Sequence, residues 1–178
     1  ANKLPHLGFG KSKDVVDQLG LEALAKSANG GAIKRPSDGK EVKSVVFIQC
    51  AGQRSDKDGE LPYCSGHCCN TSIKQAMYFK DQNPDVDTVV MYTDLRTPGN
   101  GEDFYRSAQK KGVIFTKGVA SEVVAAGAGL EVKFSDKILN EDAIAKADLV
   151  VLATGQVANS GVDIEQVKQD EPGQWASN

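Results

Sequence analysis

The residues with the clearest chemical potential are cysteines, and all four of them fall in one stretch, FIQCAGQRSDKDGELPYCSGHCC, residues 47 to 69. A thiolate can act as a nucleophile, a redox group or a ligand for a soft metal. In a reducing compartment, grouped cysteines indicate a metal site or redox chemistry before they indicate structural disulfides. The candidates are Cys50, Cys64, Cys68 and Cys69.

Four interpretations of these thiols compete. Inert burial is the first, because free cysteine is often buried, although polar neighbours such as Ser65 and Asn70 disfavour it. Structural zinc usually takes CxxC-type pairs, which the adjacent Cys68 and Cys69 fit poorly. A thiol switch between those two residues would need no metal. A 4Fe–4S cluster is larger than one ion, so adjacent residues can reach different corners of it, and the spacing favours this interpretation.

The cysteines lie between a predicted strand and a predicted helix. The run VKSVVFIQC is typical of a buried parallel strand, with Cys50 as its last residue. The run CCNTSIKQAMYFKDQN has helical spacing, so Cys68 and Cys69 open a helix whose free N–H groups and dipole stabilise thiolates. If the loop of residues 51 to 63 folds back, Cys64 joins the others in one pocket.

The remaining pattern predicts an α/β fold: a Rossmann-like parallel sheet with helices on both faces, plus a β-hairpin. A short helix is expected over Val15 to Ser27. Further strands and a helix follow in TVVMYTDL, GEDFYRSAQKKG, VIFTKGV and ADLVVLATG, and a glycine-rich turn joins the hairpin strands ASEVVAAG and GLEVKFSD. The reactive crevice of such a sheet lies beyond the carboxyl ends of its strands, where Cys50 is expected.

Composition and charge exclude several classes of protein. Apolar residues make up 40% of the 178-residue chain, and no run is long and apolar enough for a membrane helix. The net charge of −3, with scattered lysines, argues against nucleic acid binding. No secretory signal pattern is present, so we expect an intracellular protein. The sequence CAGQR, residues 50 to 54, stands where a dinucleotide-binding protein has its glycine-rich turn, so ordinary NAD binding is not expected.

Several segments resemble the A-subunit family of heterodisulfide reductase, which includes the related subunits of quinone-interacting membrane-bound oxidoreductase complexes. They are FIQCAGQR, PYCSGHCCNTSIKQAM, YTDLRTPGNGEDFYRSAQKKGVIFTKGVASEV, RPSDGK (residues 35 to 40) and ADLVVLATG (residues 147 to 155). The resemblance runs from about residue 4 to residue 161. It implies a flavoprotein built like thioredoxin reductase, whose inserted NAD(P)H-type domain has given up NADPH for an iron–sulfur cluster.

The resemblance also implies roles for individual residues. The ligands of the 4Fe–4S cluster would be Cys50, Cys64, Cys68 and Cys69. The segment that re-enters the FAD domain and passes close to the flavin would be Ala153, Thr154 and Gly155.

Two further residues belong to the expected environment of the cluster. His67 stands where the family is expected to have another residue; it either hydrogen-bonds a sulfur or is a solvated loop residue, and we favour the second. Arg96 either offsets the negative charge of the cluster or forms a turn-stabilising ion pair with Asp94.

Three segments follow from the same resemblance: a flank from the FAD-domain side (1–41), the iron–sulfur domain (42–146), and a return strand with a tail (147–178). The first FAD motif is absent, so the chain looks like an inserted domain with parts of its flanks.

The implied function is oxidoreduction by a larger complex, in which this chain relays single electrons between a flavin and clusters on partner subunits. Those partners would belong to a heterodisulfide-reductase-like or quinone-interacting complex. The expected location is the cytoplasm, or the cytoplasmic face of a membrane complex. The alternative is a zinc-stabilised interaction module without enzymatic activity, whose acidic, glutamine-rich tail would bind a partner.

Overall fold

The fold is a curled mixed sheet with three α-helices, as described for residues 4–57 and 59–157 by a computed structural model. The strands are β1 (Val15–Asp17), β2 (Ser44–Ile48), β3 (Asp87–Tyr92), β4 (Ile114–Ala126), β5 (Gly129–Asp136), β6 (Glu141–Ala147) and β7 (Leu149–Leu152). The helices are α1 (Gln18–Ala28), α2 (Cys68–Gln82) and α3 (Gly101–Lys110), preceded by a 3-10 turn at Pro5–Leu7.

The strand order across the sheet is β1-β7-β2-β3-β4-β5-β6. The first five strands of this order pair in parallel, and β5 pairs antiparallel with β4 and with β6. Strand β7 lies between β1 and β2, with Val150 opposite both Val15 and Val46. The predicted α/β class, parallel core and β4–β5 hairpin are confirmed.

The helices differ from the prediction in one respect, because all three pack on the same face of the parallel strands. Val45 and Phe47 of β2 lie in a core with residues of α1, α2 and α3. Val46 and Ile48, which point the other way, pack instead against Leu7 and the antiparallel strands. Strand β5 buries alternate apolar residues, so the curled hairpin covers the second face and leaves no room for a helix there.

Two strands were not anticipated from the sequence. Val15 and Val16, predicted as the start of a helix, form β1, and α1 begins only after Asp17, whose carboxylate accepts a hydrogen bond from the Gly20 N–H at 2.8 Å. Strand β6 has mostly exposed or half-exposed residues and, in the part of the chain that the structure describes, pairs with β5 alone. The predicted tail lies outside the described residues from residue 158 onward.

At the amino ends of the strands, Arg35 joins residues that directly precede β1 and β7. Its guanidinium lies 3.3 Å from the Asp14 carboxylate and 3.5 Å from that of Asp148. Asp148 also accepts the Lys43 N–H at 2.8 Å. Strands from both predicted flanks thus join one sheet, while the boundaries at residues 42 and 147 stay predictions. None of the helices described here has the length and apolar character needed to cross a membrane.

Candidate functional site

The first cysteine lies in a tight turn just after β2. The strand ends at Ile48 rather than at Cys50 as expected, because Cys50 has a left-handed backbone (φ 54°) that cannot continue a strand. Such a conformation costs about 1–2 kcal/mol for a residue with a Cβ. The turn is held on both sides, by the Gln49 N–H to the Met91 carbonyl (2.9 Å) and the Ala51 N–H to the Ala153 carbonyl (3.1 Å).

The loop after this turn folds back on itself, as the sequence suggested. The Leu61 N–H donates to the Gly52 carbonyl at 2.9 Å, and the Arg54 N–H donates to the Tyr63 carbonyl at 3.3 Å. These bonds return the chain to the carboxyl end of β2, directly before Cys64.

The other two cysteines are the first residues of α2, as predicted. Cys68 and Cys69 are buried, each with 7% of its surface exposed, while Cys64 is half-buried. The Cys69 sulfur accepts the Arg96 N–H at 3.4 Å, and the Cys64 sulfur accepts the Gly66 N–H at 3.4 Å. Backbone N–H groups therefore point at two of the sulfurs, where they can donate to negatively charged ligand sulfurs.

The pKa of the Cys69 thiol reflects its burial and the charges of the other three thiols. Burial raises the pKa of the Cys69 thiol, the Arg96 N–H opposes that rise, and repulsion from Cys50, Cys68 and Cys64 adds to it. All four are free thiols. Within residues 4–57 and 59–157, no three His, Cys, Asp or Glu side chains are placed so that they could hold a metal ion.

Arg54 supplies positive charge at this rim, and sequence reasoning missed it. Its guanidinium lies 2.7 Å from the Asp94 carboxylate and 3.3 Å from the Thr93 hydroxyl. The neighbouring Asp94 carboxylate and, to a smaller extent, Cys50 raise the pKa of the Arg54 guanidinium. The signal was its place in the CAGQR turn, which we interpreted only as the loss of a glycine-rich motif.

Arg96 and His67 both lie beside the cysteines with exposed side chains. Asp94 forms its ion pair with Arg54 and not with Arg96, the partner considered from the sequence. Arg96 contacts the site through its backbone N–H, which donates to the Cys69 sulfur, while its side chain is exposed. His67 is exposed at the start of α2, where its carbonyl accepts the Thr71 N–H at 3.4 Å. Its exposure favours the solvated interpretation.

Gln53 is the second functional candidate that the sequence did not reveal. Its side chain is buried, and its amide nitrogen donates to the Cys68 sulfur at 3.4 Å and to the Ala153 carbonyl at 3.0 Å. A residue of the cysteine turn thus contacts both the start of α2 and the segment predicted to approach a flavin.

Ala153, Thr154 and Gly155 follow β7 and lie beside this turn. Thr154 and Gly155 line a cleft of about 420 Å³ together with Leu4 and Asp17. A Cβ on Gly155 would lie only 2.1 Å from the Gln53 side-chain oxygen. The small residue at position 155 therefore makes room for Gln53, a partner inside this chain, and its predicted contact with FAD stays a prediction for a longer parent protein.

The relatives of this chain are subunits of one kind of enzyme. No family model matches the chain. It is 40% identical over 167 residues to the first iron-sulfur A-subunit of the CoB–CoM heterodisulfide reductase of Methanopyrus kandleri, covering 89% of this chain and 25% of that protein. It is 38% identical over 159 residues to the A-subunit of the ferredoxin/F420H2-dependent CoB–CoM heterodisulfide reductase of Methanosarcina acetivorans, covering 87% of this chain and 20% of the relative. Over this segment, the chain is similar to A-subunits of heterodisulfide reductase, which confirms the family resemblance found in the sequence.

The chain spans about a fifth to a quarter of the length of these relatives. Among solved structures, thioredoxin reductase from T. acidophilum is similar to 83% of this chain, with a TM-score of 0.45 and 14% identity, over 38% of its own length. The fold assignment rests on the strand order and pairing described above.

Proposed function

We propose that this chain is the electron-transfer segment of a heterodisulfide-reductase-A-like oxidoreductase, in which four cysteines hold one 4Fe–4S cluster. The observation that carries the proposal is the gathering of four free thiols from three separate segments at one end of the sheet. The segments are the turn after β2, the returning loop and the start of α2.

The donor set fits this group, since four thiolates are the usual protein ligands of a 4Fe–4S cluster. Such a cluster is larger than a single metal ion, for which no three of the described side chains are placed. The proposed ligands are Cys50, Cys64, Cys68 and Cys69. When bound, such a cluster supplies one-electron redox chemistry.

The surrounding residues prepare the site for negative charge. The N–H groups of Arg96 and Gly66 donate to two of the sulfurs. The Arg54 guanidinium lies near Cys50, and the N-terminus of α2 adds the positive end of a helix dipole. Burial of Cys68 and Cys69 keeps water away from two of the four thiols.

In a longer parent protein, Ala153, Thr154 and Gly155 would lead toward an FAD domain, as the family resemblance implies. Electrons would then pass between that flavin and iron–sulfur clusters on partner subunits of a heterodisulfide-reductase-like or quinone-interacting complex. The proposed location is the cytoplasm, or the cytoplasmic face of a membrane complex.

Metal and sulfide analysis tests the cluster. Anaerobically purified and reconstituted protein should be brown and contain iron and acid-labile sulfide in 4Fe–4S proportion. Cys64→Ser and Cys69→Ser should each lose most of the iron, because the chain has no spare cysteine. Ser55→Ala is the matched control. Ser55 lies in the same loop, but its hydroxyl accepts the Lys57 N–H at 3.2 Å, so this variant should keep the iron.

Other outcomes would favour the other interpretations. Full iron and sulfide in either cysteine variant would contradict the four-ligand assignment. Colourless protein with stoichiometric zinc would support the zinc-stabilised module. A reversible disulfide between Cys68 and Cys69 in metal-free protein would support a thiol switch.

A further inference from the structure

Gln53 occupies the point where the cysteine turn, the returning loop and the segment after β7 meet. Its side chain is 5% exposed and makes hydrogen bonds with Ser65, with the start of α2 and with the segment after β7. The amide nitrogen uses its two hydrogens on the Ala153 carbonyl (3.0 Å) and the Cys68 sulfur (3.4 Å). The amide oxygen accepts from the Ser65 hydroxyl (2.6 Å) and the Ser65 N–H (3.3 Å).

These partners fix the orientation of the carboxamide. The Ala153 carbonyl can only accept and the Ser65 N–H can only donate. If the amide of Gln53 were flipped, its oxygen would face the Ala153 carbonyl and its nitrogen would face the Ser65 N–H. The N–H group of Gln53 is therefore held toward the Cys68 sulfur by contacts that do not involve the sulfur.

Two neighbours complete this arrangement. The Ser65 hydroxyl lies 3.3 Å from the Cys68 sulfur, so it contacts the same sulfur as Gln53 does. Gly155 has a left-handed backbone (φ 76°) and no side chain in the space that the Gln53 carboxamide fills. The position of the carboxamide thus depends on Gly155 and on Ala153, which lies 100 positions away in the sequence.

We propose that Gln53 is a positioning residue for the cysteine site, an oriented N–H donor to Cys68 that raises the reduction potential of the bound cluster. This inference rests on the proposed function. Reduction adds negative charge to a cluster and its sulfur ligands, and a hydrogen bond to a sulfur stabilises the more negative state. Because the same carboxamide bonds the Ala153 carbonyl, Gln53 also ties the ligand Cys68 to the segment that follows β7.

The test compares Gln53→Leu with a control that removes another buried carboxamide from the same region. Gln75 of α2 is fully buried and donates to the Gln18 carbonyl (2.8 Å) and the Glu22 carboxylate (3.0 Å), away from the sulfurs. Gln75→Leu should therefore reproduce the general cost of losing a buried amide. Iron and sulfide are measured first on the unaltered chain and on each variant, and the reduction potential is then followed by electron paramagnetic resonance.

Gln53→Leu should lower the potential, making the reduced form about tenfold less populated at a fixed potential, which corresponds to about 59 mV for one electron. Gln75→Leu should leave the potential unchanged. Ser65→Ala keeps Gln53 but removes the hydroxyl that anchors its amide oxygen, so it should shift the potential in the same direction by a smaller amount. This milder variant provides the measurement if Gln53→Leu cannot hold its cluster.

A second readout needs no metal. In the metal-free chain, Gln53→Leu should speed hydrogen exchange at residues 153–157 and 64–66, and Gln75→Leu should not. Unchanged potentials in loaded Gln53→Leu and Ser65→Ala would overturn the inference and leave the proposed function standing. An unaltered chain that takes up no iron would overturn the proposed function and the inference together, and the iron assay tells these two results apart.

Discussion

Replacing Gly155 with alanine should destabilise the chain much more than the same change at another glycine with the same backbone. Gly155 has a φ of 76°, and a Cβ there would lie 2.1 Å from the oxygen, 2.2 Å from the carbon and 2.6 Å from the nitrogen of the Gln53 carboxamide. Real Cβ atoms do not approach other heavy atoms so closely, so the Gln53 carboxamide has to move.

The expected cost has two parts. An alanine in the left-handed conformation costs about 1–2 kcal/mol. Displacing the buried Gln53 carboxamide breaks its hydrogen bonds to the Ala153 carbonyl and to Ser65, which costs about 1–3 kcal/mol. The free energy of unfolding should therefore fall by about 2–5 kcal/mol.

Gly39 is the control that separates the two parts of the cost. It has a φ of 72° but no atom within 4 Å of its missing Cβ. Gly39→Ala should cost only the backbone part. Urea unfolding of the metal-free proteins, followed by circular dichroism, gives both changes from the shift in midpoint at a constant slope. Equal midpoint shifts for the two variants would refute the close packing of Gln53 against Gly155.

Three more predictions test other parts of the molecule. Arg35→Ala should lower the free energy of unfolding by about 3–5 kcal/mol, because it leaves the buried Asp14 carboxylate without its positively charged partner. Lys40→Ala, which breaks an exposed pair with Asp38, should cost at most about 1 kcal/mol, and similar denaturation midpoints would contradict that difference. NADH and NADPH should bind with dissociation constants above about 1 mM, or only about 4 kcal/mol, and micromolar binding by calorimetry would show that the CAGQR turn does hold a dinucleotide. Removing the metal should leave the far-ultraviolet signal intact but reduce hydrogen-exchange protection across residues 51–72, whereas equal protection there would mean that the cysteines share no cluster.

Much of the fold could be predicted from local patterns. Strands β2 and β7 are continuous apolar runs, and α2 and α3 have clear helical spacing or end signals, so their types and order followed from the sequence. The start of α2 at Cys68 was also predictable, because the periodic segment begins there. These elements depend mainly on their own residues, which is why single-sequence reasoning reached them.

The parts that were missed depend on contacts between distant segments. Strand β1 has only three residues and is a strand because β7 lies beside it. Strand β6, whose residues are mostly exposed or half-exposed, is held by its pairing with β5.

The same reason explains the residues of the site that were missed. Gln53 and Arg54 are ordinary polar residues of a loop in the sequence, and their roles become visible only when Ala153 and Asp94 are brought next to them. The cysteines could be identified in advance because their residue type is itself informative.

The place of β7 in the sheet has a consequence for how the chain is made. During synthesis, β1 and β2 leave the ribosome long before β7, yet β7 lies between them and is completely buried. Until it arrives, β1 has no neighbour and β2 is paired only through β3, so a row of backbone groups along Val45–Ile48 stays open. Open edges of this kind invite pairing with other chains. We therefore expect ribosome-bound fragments that stop before residue 149 to be sensitive to proteases and to aggregation. The arrival of β7 would then be the step that closes the sheet.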